Sequence, residues 1–261
     1  MFKFKRLTLV LGILIFGVTL SACNNKEQDL YEKIIEEGKI VVGTEGTYAP
    51  FTYHDAETGD LTGFDVEIAR EVAERLGVEV EFLETKWDGL LAGVNTGRYD
   101  IVANQVWKKP AREEAYTLTD PYMLTNAVLV VQEGNTTITS LEDIAGQKGA
   151  HSLTSAYADM AREKGAEIVG VDTFTEAVQN LINGHVEYTI NDTATVAYYL
   201  AQNPDANVKA LNLELDQFEV VFALPKENAN TLEEKINAIL EDMRNDGTYD
   251  AIYQTYFEVI E

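Results

Sequence analysis

Short apolar runs alternate along the chain with segments whose apolar residues recur at helical spacing. In residues 65–76 the apolar side chains lie three and four positions apart, acidic residues fill the first turn, and Gly77 follows as a helix stop. The elements predicted in this part are strands at 39–44, 78–83 and 99–103 and helices at 65–76 and 87–96. Strand and helix thus follow each other in turn, which favours an α/β fold with a mostly parallel sheet and helices on its faces.

The same alternation restarts after Pro121. Strands are predicted at 127–131, 148–151, 166–171, 186–190 and 220–224, and helices at 156–164, 173–183, 192–202, 230–245 and 248–257. Two α/β units that meet near 122–126 and again near 218–221 imply two lobes joined by two crossings. We expect lobe 1 at 38–124 plus 220–261, lobe 2 at 125–219, and a cleft between them that encloses a small ligand.

The first residues have the pattern of a secretion signal. Basic residues precede an apolar run at 7–20, which is too short for a good membrane-spanning helix. Residues 20–23, LSAC, resemble the lipobox of bacterial lipoproteins. We therefore predict a cleaved signal peptide at 1–22 and a lipid-anchored tether with the first helix at 23–37, with Cys23 as the lipidated residue. The alternative is an ordinary signal peptide with an incidental Cys.

Composition restricts the partners of the chain. Its 20 basic and 44 acidic residues give a formal net charge of −24, which excludes nucleic acid, since phosphates need clusters of Lys and Arg. The same charge disfavours contact with anionic lipid heads, so membrane attachment would depend on acyl chains. Cys23 is the only cysteine, so the fold has no internal disulfide.

The segment 99–122 carries the clearest candidate chemistry. Its apolar run ends at residue 103 and is followed by Asn104 and Gln105, which we expect to be exposed amides. Pro110 suits the first position of a helix, and this places Arg112 just beyond the carboxyl end of a strand, where ligands of α/β proteins bind. There Arg112 can bind a carboxylate through two parallel hydrogen bonds. The alternative is a solvated charge on a surface helix.

Several segments resemble one known family in the right order along nearly the whole mature chain. They are VGTEGTYAPF (42–51), GFDVEIAREVAERL (63–76), TKWDGLLAGVNTGRYD (85–100), PAREEAYTLTDPY (110–122) and EDMRNDGTYDAIYQTYF (241–257). They are similar to bacterial family 3 extracellular solute-binding proteins, which serve ABC importers of polar amino acids. The segments ANQV (103–106), TKWDGLLA (85–92) and HSLTSAYAD (151–159) resemble the cystine-binding subgroup.

The resemblance implies a type II periplasmic-binding-protein-like fold with two lobes, each a mixed, mostly parallel sheet flanked by helices. It implies a monomeric lipoprotein anchored outside the cytoplasm, most simply on a Gram-positive cell surface, with a permease and its ATPase as partners. L-cystine is the expected ligand, and glutamine, arginine or histidine are the alternatives. More remote alternatives are an amino-acid-sensing lipoprotein and a dehydratase-like enzyme.

The resemblance also implies a role for individual residues. Arg112 stands where the family binds the α-carboxylate of its ligand, and Asp192 where it binds the α-ammonium. Thr154 and Ser155 lie where a strand leads into a helix, so their hydroxyl and N–H groups can bind the same carboxylate. A zwitterion bound in this way would connect the two lobes.

Aromatic and amide residues complete the expected site. Tyr48, Phe51 and Trp87 match positions that line the pocket in the family, with a place in the core as the alternative. Asn104 and Gln105 are candidates for contacts with the body of the ligand, unless they serve backbone groups at the strand end. Tyr157 and His151 are further candidates, with structural roles as the alternative.

The chain departs from the family beside the predicted carboxylate site. Trp107, Lys108 and Lys109 replace small hydroxyl residues, and Leu153 replaces a common Gly. These changes leave Arg112 in place and alter the expected side-chain specificity.

Catalysis is not predicted. The three His residues have no metal-ligand spacing, and the chain contains no nucleophile motif or phosphate loop. We therefore expect neither an enzyme nor a bound metal or cofactor.

Overall fold

Two mixed β-sheets with helices packed on them form the part of the chain that the computed structural model describes, residues 28–213, 215 and 217–257. The predicted signal peptide and Cys23 lie outside the described residues. None of the helices in the described ranges has the length and apolar character needed to cross a membrane.

The elements follow the predicted alternation closely. The strands are β1 (Lys39–Thr44), β2 (Thr47–Tyr48), β3 (Thr52–His54), β4 (Leu61–Thr62), β5 (Glu79–Glu84), β6 (Ile101–Trp107), β7 (Thr117–Leu118), β8 (Met123–Thr125), β9 (Ala127–Gln132), β10 (Lys148–His151), β11 (Glu167–Gly170), β12 (Tyr188–Asp192), β13 (Val208–Asn212) and β14 (Phe218–Leu224). The helices are α1 (Leu30–Glu37), α2 (Phe64–Leu76), α3 (Trp87–Asn95), α4 (Pro110–Ala115), α5 (Ala156–Glu163), α6 (Phe174–Ile182), α7 (Thr193–Gln202), α8 (Asn230–Asp246) and α9 (Thr248–Phe257), with a short 3-10 helix at Leu141–Ile144.

The first sheet has the strand order β5-β1-β6-β14-β7, with β8 also paired to β14, and the second has the order β11-β10-β12-β9-β13. Strand β1 is parallel to β5 and β6, and β10 is parallel to β11 and β12. The remaining pairs in these two sheets are antiparallel. The predicted fold of two mixed, mostly parallel sheets with helices is confirmed, since only β14 in the first sheet and β9 in the second run against the other strands.

The chain passes between the sheets twice, at Asn126 between β8 and β9 and again between β13 and β14. Below, lobe 1 means the first sheet with α1–α4, α8 and α9, and lobe 2 means the second sheet with α5–α7. One buried apolar cluster contains Ile68 and Leu240 of lobe 1 and continues to Leu129 and Ile190 of lobe 2, and a second cluster, with Val178 and Leu181, lies within lobe 2. The two crossings place the carboxyl ends of β1 and β6 opposite those of β10 and β12.

Local sequence explains where several helices begin and end. The Asp29 side chain accepts the N–H of Tyr31 at 3.0 Å and that of Glu32 at 3.3 Å, so it caps α1, and Gly38 ends the helix in the left-handed conformation. Gly63 precedes α2 with φ +126°, and a Cβ there would lie 2.3 Å from the carbonyl oxygen of Phe51. Only glycine fits at that position.

Strand β6 continues past the point where the apolar run ends. Asn104 and Gln105 were predicted to be exposed, and this was wrong: their exposed fractions are 1% and 5%. Asn104 Oδ1 accepts the backbone N–H of Glu45 at 2.8 Å and the hydroxyl of Thr44 at 3.1 Å. These partners lie about 60 positions away in the sequence, so tertiary structure alone makes a buried amide acceptable here.

Candidate functional site

Side chains from both lobes line a cavity of about 60 Å³ beyond the carboxyl ends of β1, β6, β10 and β12. This is the edge of an α/β sheet at which ligands bind. The structure brings together here most of the residues that the sequence suggested, namely Tyr48, Trp87, Asn104, Gln105, Arg112, Ser155, Tyr157 and His151.

Phe51 and Thr154 lie outside the lining of this cavity. Phe51 is fully buried, with ring-centroid distances of 5.6 Å to Tyr48 and 5.8 Å to Phe257, so it supports the pocket from behind. Thr154 is exposed, and its N–H and hydroxyl both donate to Asp88 Oδ1 at 2.9 Å. A carboxylate of lobe 1 thus binds the turn at which the sequence suggested a ligand carboxylate.

Asp192 is fully buried at the start of α7 and also lies outside the cavity lining. Its Oδ1 accepts the N–H of Ala194 at 2.8 Å, and its Oδ2 accepts the hydroxyl of Thr125. Burial raises the pKa of Asp192 to about 6. Its neighbour Asn191 lines the cavity and accepts the hydroxyl of Tyr48 at 2.6 Å. In this arrangement Asp192 caps α7 and accepts a hydrogen bond from the last residue of β8, next to the crossing at Asn126.

Arg112 is the lining residue with the most unusual surroundings. Its exposed fraction is only 4%, and Nη1 donates to the carbonyl oxygen of Trp107 at 2.8 Å. Its guanidinium carbon lies 5.3 Å from the ring centroid of Trp87. Burial lowers the pKa of Arg112 to about 10, so the group is still charged at neutral pH. Nη2 is buried without a hydrogen-bond partner among the described residues. A buried cation with free N–H groups is suited to bind an anion.

Three more lining residues have a buried polar atom without a partner in the described part of the chain. These atoms are Trp87 Nε1, Gln105 Oε1 and His151 Nε2. Buried polar groups are nearly always hydrogen-bonded in native proteins, so such a concentration in one cavity indicates contacts that a bound molecule supplies. Burial lowers the pKa of His151 to about 3, so its ring is neutral at physiological pH.

A family model for bacterial extracellular solute-binding proteins, family 3, matches residues 40–259. The chain belongs to this family. Its membership places the protein outside the cytoplasm and confirms the predicted family and two-lobed fold.

The relatives extend over almost the whole chain. The L-cystine-binding protein TcyA of Bacillus subtilis is 38% identical, with 97% of each chain covered. The L-cystine-binding protein TcyJ of Escherichia coli is 32% identical, covering 88% of this chain and 87% of its own. A solved ancestral arginine-binding protein bound to glutamine is 37% identical with a TM-score of 0.79, covering 84% of this chain and 98% of its own. These relatives are binding proteins, which confirms the prediction that the chain is not an enzyme.

Sequence reasoning did not identify Glu45 as a candidate, although it directly follows β1 and lines the cavity. Its Oε2 accepts Asn104 Nδ2 at 2.6 Å. Burial raises the pKa of Glu45 to about 7. Its position in the loop EGTYAPF, at the exit of the first predicted strand, was the sequence signal that could have identified it.

Trp107 was noted only as a departure from the family, yet it lines the cavity and meets the ring of Tyr157 edge-on, with 4.7 Å between the ring centroids.

We expect Glu45→Gln to remove a pH-dependent loss of stability. The folded-state pKa of about 7 exceeds the ordinary value of 4.5. Between these values the folded protein keeps a proton that the unfolded chain releases, so this group lowers the free energy of unfolding as pH rises from about 4.5 to 7. Glutamine does not titrate and can still accept the Asn104 bond. Denaturant unfolding should show equal stability at pH 4 and a more stable variant at pH 8, on the order of 1–3 kcal/mol. A less stable variant at pH 8 would contradict the expectation.

The two lobes contact each other directly around the cavity. Besides the Asp88 and Tyr48 bonds described above, ion pairs join Lys86 to Asp172 and Lys109 to Asp159. Each pair has one partner in lobe 1 and one in lobe 2. The structure therefore has a closed cleft, with ion pairs joining the lobes around a buried interior.

Proposed function

We propose that this protein binds a free amino acid, L-cystine, between its lobes and delivers it to the permease and ATPase of an ABC importer. The alternative ligands are other polar amino acids such as glutamine, arginine or histidine. The observation that carries the proposal is the buried guanidinium of Arg112, whose Nη2 has no partner among the described residues. The similarity to the two L-cystine-binding proteins TcyA and TcyJ supports the choice of ligand.

The α-carboxylate of the ligand would lie between Arg112 of lobe 1 and the start of α5 in lobe 2. Ser155 caps this helix by accepting the N–H of Ala158 at 3.1 Å, and both Ser155 and Ala156 line the cavity. The N-terminus of a helix attracts anions because its first N–H groups are free and its dipole is positive there. Because Arg112 lies on lobe 1 and the start of α5 on lobe 2, a carboxylate that contacts both would couple its binding to closure of the lobes.

The amine side of the ligand would find acceptors on the same cavity wall. Glu45, Asn191 and Gln105 have side-chain oxygens and line the cavity, while Asp192, the residue expected to bind the α-ammonium, is the next residue after Asn191 and is fully buried outside the lining. The rings of Trp87, Trp107 and Tyr157 supply the aromatic wall. A disulfide suits such a wall, since sulfur packs favourably at ring edges.

The proposal extends to the parts that lie outside the described residues. Residues 1–22 would be removed as a signal peptide, and Cys23 would carry the lipid that anchors a monomeric protein to the cell membrane of a Gram-positive bacterium. The segments 38–124 with 220–261 and 125–219 would move as the two lobes. Support comes from the lipobox-like LSAC sequence and from the two crossings of the chain.

A thermal-shift and calorimetric screen of the mature chain tests the function. We expect L-cystine to give the largest rise in melting temperature among the amino acids, because a ligand that binds only the folded state stabilises it. Cystamine, which lacks both carboxylates, and 3,3′-dithiodipropionate, which lacks both ammonium groups, should not reproduce the rise. A larger effect of glutamine, arginine or histidine would select the alternative ligand. No response to any amino acid would refute the proposed function.

A further inference from the structure

Gln105 lines the cavity in a backbone conformation that its residue type rarely adopts. Its φ is +49°, in the left-handed region, although it lies inside strand β6. The pairing of β6 with β14 shifts register opposite this position, between Val221 and Ala223. Unusual backbone conformations persist only where surrounding contacts impose them, and they concentrate at functional sites.

Asp65 supplies those contacts from the first turn of α2. Its side chain is fully buried, and its two oxygens take two different donors of Gln105. Oδ2 accepts the backbone N–H at 2.6 Å, and Oδ1 accepts the side-chain Nε2 at 2.9 Å. One carboxylate thus holds both the strained backbone and the amide of the same residue.

This pairing determines which atom of the Gln105 amide remains for the cavity. Both side-chain oxygens of Asp65 accept hydrogen bonds from Gln105, so the NH₂ group of the Gln105 amide is turned toward Asp65. Oε1 is then directed away from Asp65, and it is buried without a partner among the described residues. A buried acceptor on a cavity-lining side chain calls for a donor, and the lining can obtain one from a bound molecule.

We propose that Asp65 is a positioning residue that presents Gln105 Oε1 to the ligand as a hydrogen-bond acceptor. The proposal rests on the proposed function and adds that the ligand places an N–H donor, most simply an ammonium group, against this oxygen. Asp65 has no contact with the ligand and acts through the orientation of the Gln105 amide.

Asp65→Asn tests this orientation. The introduced NH₂ group would face the NH₂ of Gln105, so the Gln105 amide would turn and present a donor to the cavity. We expect L-cystine binding, measured by isothermal titration calorimetry, to weaken about tenfold, which corresponds to about 1.4 kcal/mol. The double variant Asp65→Asn with Gln105→Glu should bind within about threefold of the wild type, because the introduced amide donates to one glutamate oxygen and leaves the other as acceptor. Gln105→Glu alone should bind worse than this double variant, since it places two carboxylates in contact.

Asp60→Asn in the exposed turn between β3 and β4 is the matched control and should bind as the wild type does. Circular dichroism and melting temperature verify that each variant is folded. If Asp65→Asn does not fold, Gln105→Met keeps Asp65 and should still weaken binding about tenfold. Wild-type protein that binds no amino acid refutes the proposed function. Wild-type binding with an unchanged Asp65→Asn affinity, an unchanged Gln105→Met affinity, or a double variant no better than Asp65→Asn overturns the positioning role.

Discussion

Arg112→Met weakens amino-acid binding by about 30-fold to several thousand-fold, the range that corresponds to about 2–5 kcal/mol for removal of one partner of a buried charge pair. The reason is the location of the guanidinium. It is 4% exposed, and among the described residues no ion pair includes it, so a ligand carboxylate would be its counterion in the closed cleft. Isothermal titration calorimetry with L-cystine and with the best-binding amino acid of the screen measures the loss.

The same substitution should leave the ligand-free protein as stable as the wild type or more stable. A buried charge without a partner costs desolvation energy, which methionine does not. Arg98→Met is the matched control, because Arg98 also lies over an aromatic ring, with its guanidinium carbon 5.3 Å from the centroid of Tyr99, but is exposed. It should change affinity less than twofold. A loss of affinity below threefold for Arg112→Met would show that the ligand carboxylate does not bind at Arg112.

Asp192→Asn is expected to weaken binding by at least about 30-fold if a buried ammonium–carboxylate pair forms in the closed cleft, again on the scale of about 2–5 kcal/mol. Stability should respond in the opposite direction. Burial raises the pKa of Asp192 to about 6 from an ordinary value of 3.8, so its charged form is disfavoured in the folded protein at pH 8. An isosteric neutral amide keeps the oxygen that caps α7, and denaturant unfolding at pH 8 should find the variant at least as stable as the wild type.

Asp192→Ala separates the two roles of this residue. It removes the cap and leaves the Thr125 hydroxyl without its acceptor, so the free energy of unfolding should fall by about 1–3 kcal/mol. If Asp192→Asn binds within threefold of the wild type while Asp192→Ala is destabilised, Asp192 is a helix cap alone. The ammonium would then belong to the acceptors that line the cavity, Glu45 and Gln105.

The regular elements could be predicted from local sequence to a large extent. The helix over 65–76 begins one residue earlier, at Phe64, and ends as expected at Leu76 before Gly77. The strands β7 and β8 were not predicted, because runs of two and three residues contain too few alternations to indicate a strand. Both pair with β14, from a segment about 100 positions further along the chain, so their conformation depends on a partner that local sequence does not reveal.

The candidate site was only partly predictable. Arg112 could be singled out because Pro110 sets the start of a helix directly after a strand. The burial of Asn104 and Gln105 could not be predicted, since amides are usually exposed and become buried only where distant groups satisfy them. Here those groups are Glu45 and Asp65, which the chain brings to β6 from other elements.

The sequence by itself determined the order of most strands and helices, the two crossings, the family and the candidate cation for a carboxylate, because periodicity, caps and motif spacing are local properties. The tertiary structure decided which candidate residues share a cavity and which of them carry a charge there. It placed Phe51 behind the pocket and Thr154 against Asp88, and it left Arg112 buried without a counterion among the described residues. The physical reason is that burial, and the hydrogen bonds that compensate for it, depend on groups far apart in the chain.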